Sequence, residues 1–186
     1  ILILENDPAL AGKICHDQFS GFDAVRGGLP WNPKATAWTD RDDANLRVWL
    51  ERNYDITGKE KIADAMTAIL TRHSYHPVRD YLDGLIWDGT PRLERLIIDY
   101  IGAADTEINR IMTRKHFIAA VGRIYQPGIK YDQCLIMTGP EGVGKSTLLS
   151  IMGGKWFNDS ITTTEGKEGM DQLRRSWIIE LGELSS

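Results

Sequence analysis

Cysteine is scarce in this 186-residue chain. Cys15 and Cys134 are the only two, too few for the disulfide framework of a small secreted domain. Cys134 sits in an apolar, strand-like run, and both thiols are expected to be free and buried, in a reducing cytoplasm. Long apolar runs are missing too. None approaches the roughly 20 residues that cross a bilayer, and Ile1-Leu2-Ile3-Leu4 is cut short by Glu5 and Asp7. That opening is therefore read as neither signal peptide nor anchor, and no membrane partner is expected. There is no basic excess: 22 Lys and Arg against 26 Asp and Glu leave a formal net charge of -4. A wholly basic nucleic-acid coat is excluded, though a local basic groove is not. Internal repeats, low-complexity tracts and a starting Met are absent, the last as expected of a processed or excised fragment. What remains is a soluble globular composition, 42% hydrophobic and 26% charged, in a length that suits one ordinary domain or two small ones.

The front of the chain mixes short polar and apolar runs with turn signals at Ser20-Gly21 and Gly27-Gly28, predicting a hairpin through Cys15–Phe19 and Phe22–Arg26. Helical signals follow. Asp40, Asp42 and Asp43 load the first turn of a segment whose Leu46, Trp49 and Leu50 recur at helical spacing. Thr57-Gly58-Lys59-Glu60 reads as a capping box before Ile62, Ala65, Met66, Ile69 and Leu70. Thr90-Pro91 offers an N-cap with Pro in the first turn, ahead of the stripe Leu93, Leu96, Ile97, Tyr100 and Ile101, with Gly102 to end it. Another helix should run from about Thr106 to Tyr125, stopped by Gln126-Pro127-Gly128. The character then changes. Gln133–Thr138 predicts a short strand, Gly139–Gly144 a glycine-rich loop, and Lys145–Met152 a helix closed by Gly153-Gly154. Ser176–Leu181 predicts a second strand, with a weaker one near Trp156–Ile161. The expected fold is α/β: a mostly helical domain over residues 1–128, then the first units of a truncated P-loop NTPase sheet domain over 129–186.

"GPEGVGKS", Gly139 to Ser146, satisfies G-x-x-x-x-G-K-[ST], and its chemistry explains each fixed position. Glycines let the backbone turn its N–H groups inward as an anion nest. Lys145 can reach the β- and γ-phosphates, the Ser146 hydroxyl can ligate Mg²⁺, and the following helix adds the positive end of its dipole. The expected nucleotide-binding set is Gly139, Pro140, Glu141, Gly142, Val143, Gly144, Lys145, Ser146 and Thr147, with ATP and Mg²⁺ as ligands. Such a loop needs an acid at the end of a neighbouring strand to hold the magnesium and its water. "SWIIELGEL" supplies Glu180 there. Glu183 would face the opposite side of an extended strand, and reaches the metal only if the chain bends at Gly182. Glu180 is assigned to the magnesium shell with Ser146, and Glu183 to polarising the attacking water. Lys145, Glu180 and Glu183 thus form the expected catalytic set.

Several stretches together resemble the virulence-associated protein E family of phage and genomic-island proteins: "HPVRDYLDGLIWDGTPRL" from His76, "AAVGRIYQPGIKYDQCLIMTGPEGVGKSTLL" from Ala119, and "GKWFNDS…WIIELGEL" from Gly154. "LENDPALAGKICHDQFSG" and "LPW…WTDRDDANLRVWLERNY" also read like its front region. The resemblance implies a primase-helicase relative with a superfamily-3-like ATPase. In the intact protein this would be an ATP-driven, ring-forming motor that works on DNA during mobile-element replication. Gly139, Gly144, Lys145, Ser146 and Glu180 match the family's nucleotide site. Such proteins continue past the acidic strand with a sensor strand and an arginine-bearing segment not present here. The expectation is therefore an unpaired sheet edge, and weak or no hydrolysis by this stretch alone. No primase carboxylate cluster occurs, so primer synthesis is not expected.

The other constellations read more simply as structure. His73-x-x-His76 has no Cys partner and is followed by Pro77, which favours a structural role over a metal site. Arg110, Arg114, Lys115 and Arg123 suit a solvated helix face, with contact to DNA phosphates as the alternative. A helix-turn-helix over Leu46–His73, led by Lys59 and Lys61, is weakened by the acidic residues at Asp40–Asp43. Trp87 is expected to be buried, with Asp88-Gly89 turning before the Thr90 cap. Arg174-Arg175 reads as helix-end surface charge, with a neighbouring subunit's nucleotide as the alternative, and the six tryptophans read mostly as core. Two competing functions stay open at this point. One is a non-catalytic DNA- or partner-docking fragment. The other is a P-loop kinase or packaging ATPase, which the front helices do not support.

Overall fold

A computed structural model describes residues 1–161, 169–170 and 173–182. The fold is mixed α/β, and the chain divides into two compact units, Ile1–Asp80 and Tyr81–Ser186.

In the first unit, a short helix α1 (Leu2–Asn6) precedes strands β1 (Ile14–Asp17) and β2 (Phe22–Val25), which pair antiparallel as expected. The turn closes because Asp17 accepts from the Phe19 amide at 2.9 Å and Gly21 adopts φ 72°. Strand β3 (Ser74–Tyr75) adds to β1 in parallel, giving the order β2-β1-β3. Helix α2 (Asp40–Tyr54) starts at a capping box in which the Thr39 amide donates to Asp42 at 2.9 Å. Asp42 is buried and also accepts from the Trp31 indole at 2.8 Å. Burial opposes its ionisation, but the hydrogen bonds from Thr39 and Trp31 hold the carboxyl below its ordinary value. Helix α3 (Lys59–Arg72) packs its apolar stripe into a core with Leu10, Ile14, Leu29, Leu46 and Leu50. Each such buried side chain contributes about 1.5–3 kcal/mol. The capping box expected at Thr57 does not form. Gly58 is the N-cap at φ 114°, with no side-chain cap, so the Thr57 hydroxyl and Glu60 each sit one position too early for the reciprocal bonds.

Helix α4 (Pro77–Asp83) spans the division between the units. In the second unit, residues 88–92 are not helical. A 3-10 turn, Leu93–Arg95, leads into α5 (Leu96–Ile101), so Thr90-Pro91 does not cap a helix. The Thr90 amide is instead taken by Asp88 at 3.0 Å, in an Asx turn that also holds Gly89 at φ 83°. Trp87 is exposed rather than buried, since this turn carries it away from the core. Gly102 ends α5 in the left-handed region as expected, and Thr106 caps α6 (Glu107–Tyr125) by accepting from the Asn109 amide. Helix α7 (Lys145–Gly153) ends at Gly154 and is followed by a second 3-10 turn, Gly154–Trp156. Strands β4 (Phe157–Asn158) and β5 (Ile178–Ile179) then pair in parallel.

Phe117 on α6, Leu149 on α7 and Ile178 on β5 form the second core. Helices α5 and α6, which the change in sequence character at 128 separates from the glycine-rich loop, therefore belong to the same compact unit as that loop. No ladder forms over Gln133–Thr138, contrary to expectation. Strand structure needs a neighbouring backbone, and no described segment pairs with this one. Cys134 is accordingly exposed, while Cys15 is buried, and both thiols are free.

Candidate functional site

The loop between Met137 and α7 turns on three glycines at positive φ: Gly139 at 153°, Gly142 at 79° and Gly144 at 93°. A Cβ at Gly139 or Gly142 would meet nothing within 4 Å. The backbone conformation, not crowding, is what selects glycine there. Gly144 is the N-cap of α7 and no side chain caps it, so the first-turn N–H groups face the loop without a side-chain acceptor. They coincide with the positive end of the helix dipole. Lys145 curls back over the loop, its Nζ donating to the carbonyl oxygens of Gly139 at 2.9 Å and Pro140 at 2.8 Å. Glu141 and Thr147 are exposed, and Val143 is at the margin of exposure.

Across from the first turn of α7 stands Glu180, just past β5. The Ser146 hydroxyl donates to Glu180 Oε1 at 2.6 Å. Glu180 Oε2 is buried with no hydrogen-bond partner. A buried, unpartnered carboxylate oxygen is costly, and beside a hydroxyl it is a ready ligand for a hard cation. Ser146 and Glu180 thus fit the shell expected for Mg²⁺. Among the described residues no group of three His, Cys, Asp or Glu side chains could hold a metal by itself, so phosphate or water oxygens would have to complete the coordination.

Two positions to which the sequence assigned no part in the site set this geometry. The Asn158 carbonyl accepts from the Glu180 amide at 2.9 Å, fixing the strand end that carries the acid. Gly153 lets α7 lie directly on the strands, because a Cβ there would stand 2.9 Å from both Ile178 Cβ and Phe157 Cβ. The apolar pair Trp156-Phe157 was the available signal for the first. A glycine two turns into an amphipathic helix was the signal for the second. Glu183, assigned to the attacking water, lies outside the described residues.

The remaining candidates are distributed elsewhere. Arg110 grips Asp105 at 2.7 and 2.8 Å, Arg114 pairs with Glu94 at 2.6 Å, and Arg123 donates to the Tyr131 carbonyl at 3.0 Å. Arg110 and Arg95 hold the Asp105 carboxyl down at about 2. Of the four α6 cations singled out, three are therefore engaged within the chain, while Lys115 is exposed. Lys59 and Lys61 are exposed at the start of α3, and Arg174 and Arg175 lie before β5, at the end away from Glu180. His76 is buried against the Phe19 ring, and its Nδ1 accepts from the Arg79 amide at 3.2 Å. Burial, with the Arg79 charge behind it, lowers its pKa. His76 is a structural histidine. No helix among the described residues is long and apolar enough to cross a membrane.

No curated protein matches the chain. The family model of the virulence-associated protein E-like domain matches residues 82–186, which include the glycine-rich loop, α7 and Glu180. With more than half of its length matched, this chain belongs to the virulence-associated protein E-like domain family.

Proposed function

We propose that this chain binds Mg-ATP through Gly139–Thr147 and Glu180, as the nucleotide-binding part of a DNA-replication helicase or primase-helicase of a mobile element. In that setting further copies of the protein would assemble around DNA as a ring. The observation that carries the reading is the Ser146–Glu180 contact at 2.6 Å, with Glu180 Oε2 buried and unpartnered beside it. The loop amides and the α7 N-terminus attract phosphate oxygens. The Lys145 ammonium exchanges its hold on the Gly139 and Pro140 carbonyls for the β- and γ-phosphates. Ser146 and Glu180 hold Mg²⁺ and its water, the ion supplying charge neutralisation for the phosphates. Hydrolysis would be completed by groups outside the described site, supplied by the rest of the protein or by neighbouring subunits.

Calorimetric titration of the chain with Mg-ATP, beside Lys145→Ala, tests this. Binding that is lost in the variant supports the reading, and absence of binding in the parent sinks it. Among the described residues no backbone pairs with residues 133–138, which favours a second reading, a docking module with little or no nucleotide turnover. Binding of single-stranded DNA without nucleotide, weakening steeply with salt, would mark that case.

A further inference from the structure

Where β4 and β5 begin, at the end away from Glu180, three aromatic rings stand in a row. Tyr81 on α4 lies 5.5 Å from Trp156, and Trp156 lies 6.5 Å from Trp177, ring centre to ring centre. The backbone ties the two tryptophans together, since the Trp177 amide donates to the Trp156 carbonyl at 2.8 Å. Trp177 is also anchored to α6, its indole N–H donating to the Ala120 carbonyl at 2.9 Å. The row thus runs from a fixed, half-buried indole outward to the Tyr81 ring, which is 45% exposed.

Positive charge borders this row. Lys155 adjoins Trp156, and its ammonium stands 4.6 Å from the centre of that ring. Arg174 and Arg175 shortly precede Trp177; both make contacts within the chain and remain exposed. Two residues of chain span at most about 7 Å, so the Arg175 backbone lies within that distance of Trp177. No Asp or Glu occurs in 153–158 or 173–179. Asp159 and Glu180 come after the strands, at their other end. On α4, Asp83 accepts from the Tyr125 hydroxyl, and Asp80 directly precedes Tyr81.

Cations alone would attract any polyanion. Rings set among them favour one whose repeating units carry flat faces, because bases stack on aromatic side chains while basic residues follow the phosphates. A duplex keeps its bases stacked on one another, so an unpaired strand is the form that can use an exposed ring. We propose that the Tyr81–Trp156–Trp177 row is a contact for single-stranded nucleic acid, with a base stacked on Tyr81 and neighbouring phosphates held by Lys155 and Arg175. This contact rests on the reading above in which DNA is a partner of the chain, and gives that partner a place apart from the glycine-rich loop.

Fluorescence anisotropy of a labelled oligothymidylate, titrated with the chain at several salt concentrations and without nucleotide, tests the contact. The oligonucleotide is expected to bind, and the matching duplex to compete poorly. Lys155→Ala should weaken binding and lower the slope of log affinity against log salt by about 0.7, the share of one phosphate. Tyr81→Leu should weaken binding about tenfold with the salt slope unchanged, and Tyr81→Phe should restore it. Tyr81 and Lys155 are exposed, and circular dichroism verifies that their variants fold. Absence of oligothymidylate binding at low salt would overturn the proposal, as would equal binding of the duplex or unchanged binding in Lys155→Ala and Tyr81→Leu. Mg-ATP titration of the same variants, expected to match the parent, keeps the two sites apart. Nucleotide binding without oligonucleotide binding sinks this contact alone, and the reverse sinks only the nucleotide reading.

Discussion

Ser146 on α7 and Glu180 beyond β5 meet at 2.6 Å although 34 positions separate them in the chain. Their contact joins the two halves of the candidate site, one half made of backbone amides and a lysine, the other a single carboxylate. Replacing Glu180 by Gln keeps the size of the side chain and removes its charge. The expected result is that nucleotide still binds, but Mg²⁺ no longer strengthens the binding, a loss of about 10–100-fold in metal affinity. Parallel titrations with and without Mg²⁺ read this directly, and an undiminished magnesium effect would remove Glu180 from the metal shell.

Gly153 holds α7 against β4 and β5 with no room to spare, a Cβ there standing 2.9 Å from Ile178 and Phe157. Gly153→Ala must push helix and strands apart, so a stability loss of about 1–3 kcal/mol is expected, together with weaker nucleotide binding. Gly182→Ala is the control, because a Cβ at Gly182 meets nothing within 4 Å. Urea unfolding of the two variants separates the effects; equal stability would mean that the helix–strand approach is slack.

His116 on α6 is half-buried between the Phe117 and Tyr131 rings, and its Nδ1 has no hydrogen-bond partner. Burial lowers its pKa below 6.5. The folded state thus prefers the neutral ring, while the unfolded chain takes up the proton more readily. Its contribution to stability is complete above the unfolded pKa and is lost as pH falls through the folded one. The melting temperature is expected to drop on acidification from neutral pH, and His116→Leu should flatten that dependence in part. His76, lowered by burial in the same direction, accounts for a remaining slope. An unaltered pH profile in His116→Leu would show that the ring titrates alike in both states.

Thr106 accepts from the Asn109 amide at the head of α6. Thr106→Ala should cost about 1 kcal/mol of stability and Thr106→Ser almost nothing. Thermal unfolding of the pair checks the cap, and equal losses in both would deny the hydroxyl its role.

The elements that could be read from the sequence are those whose signals are local. The hairpin through Cys15 and Phe22, the helix from about Thr106 to Tyr125, the stop at Gly102 and the stripe of α3 each rest on neighbours within a few residues, and each forms. The glycines and Lys145 of the loop were visible for the same reason. Glu180 was found because an apolar strand points at it. The misses are matters of tertiary context. Gln133–Thr138 has a strand's composition but no partner backbone among the described residues, and Cys134 is left exposed with it. Trp87 looks like core until the Asp88–Arg92 fork turns it outward, and Thr57 looks like a cap until Gly58 takes the left-handed turn. Gly153 and Asn158 matter through contacts with residues distant in sequence, of which the local pattern carries only a faint signal.

The Lys145 ammonium is satisfied by two carbonyls of its own loop, and this changes what a phosphate meets on arrival. The lysine behaves as a latch instead of an open hand: an incoming anion has to be worth more to it than Gly139 and Pro140 together. Two released carbonyls then point toward the same anion they would repel, unless the loop re-forms around it. Recognition at such a loop is an exchange of partners, so its selectivity lies in what can outbid the backbone. If the loop takes Mg-ATP as proposed, the triphosphate and its metal must outbid two carbonyls that a lone carboxylate or chloride would leave in place.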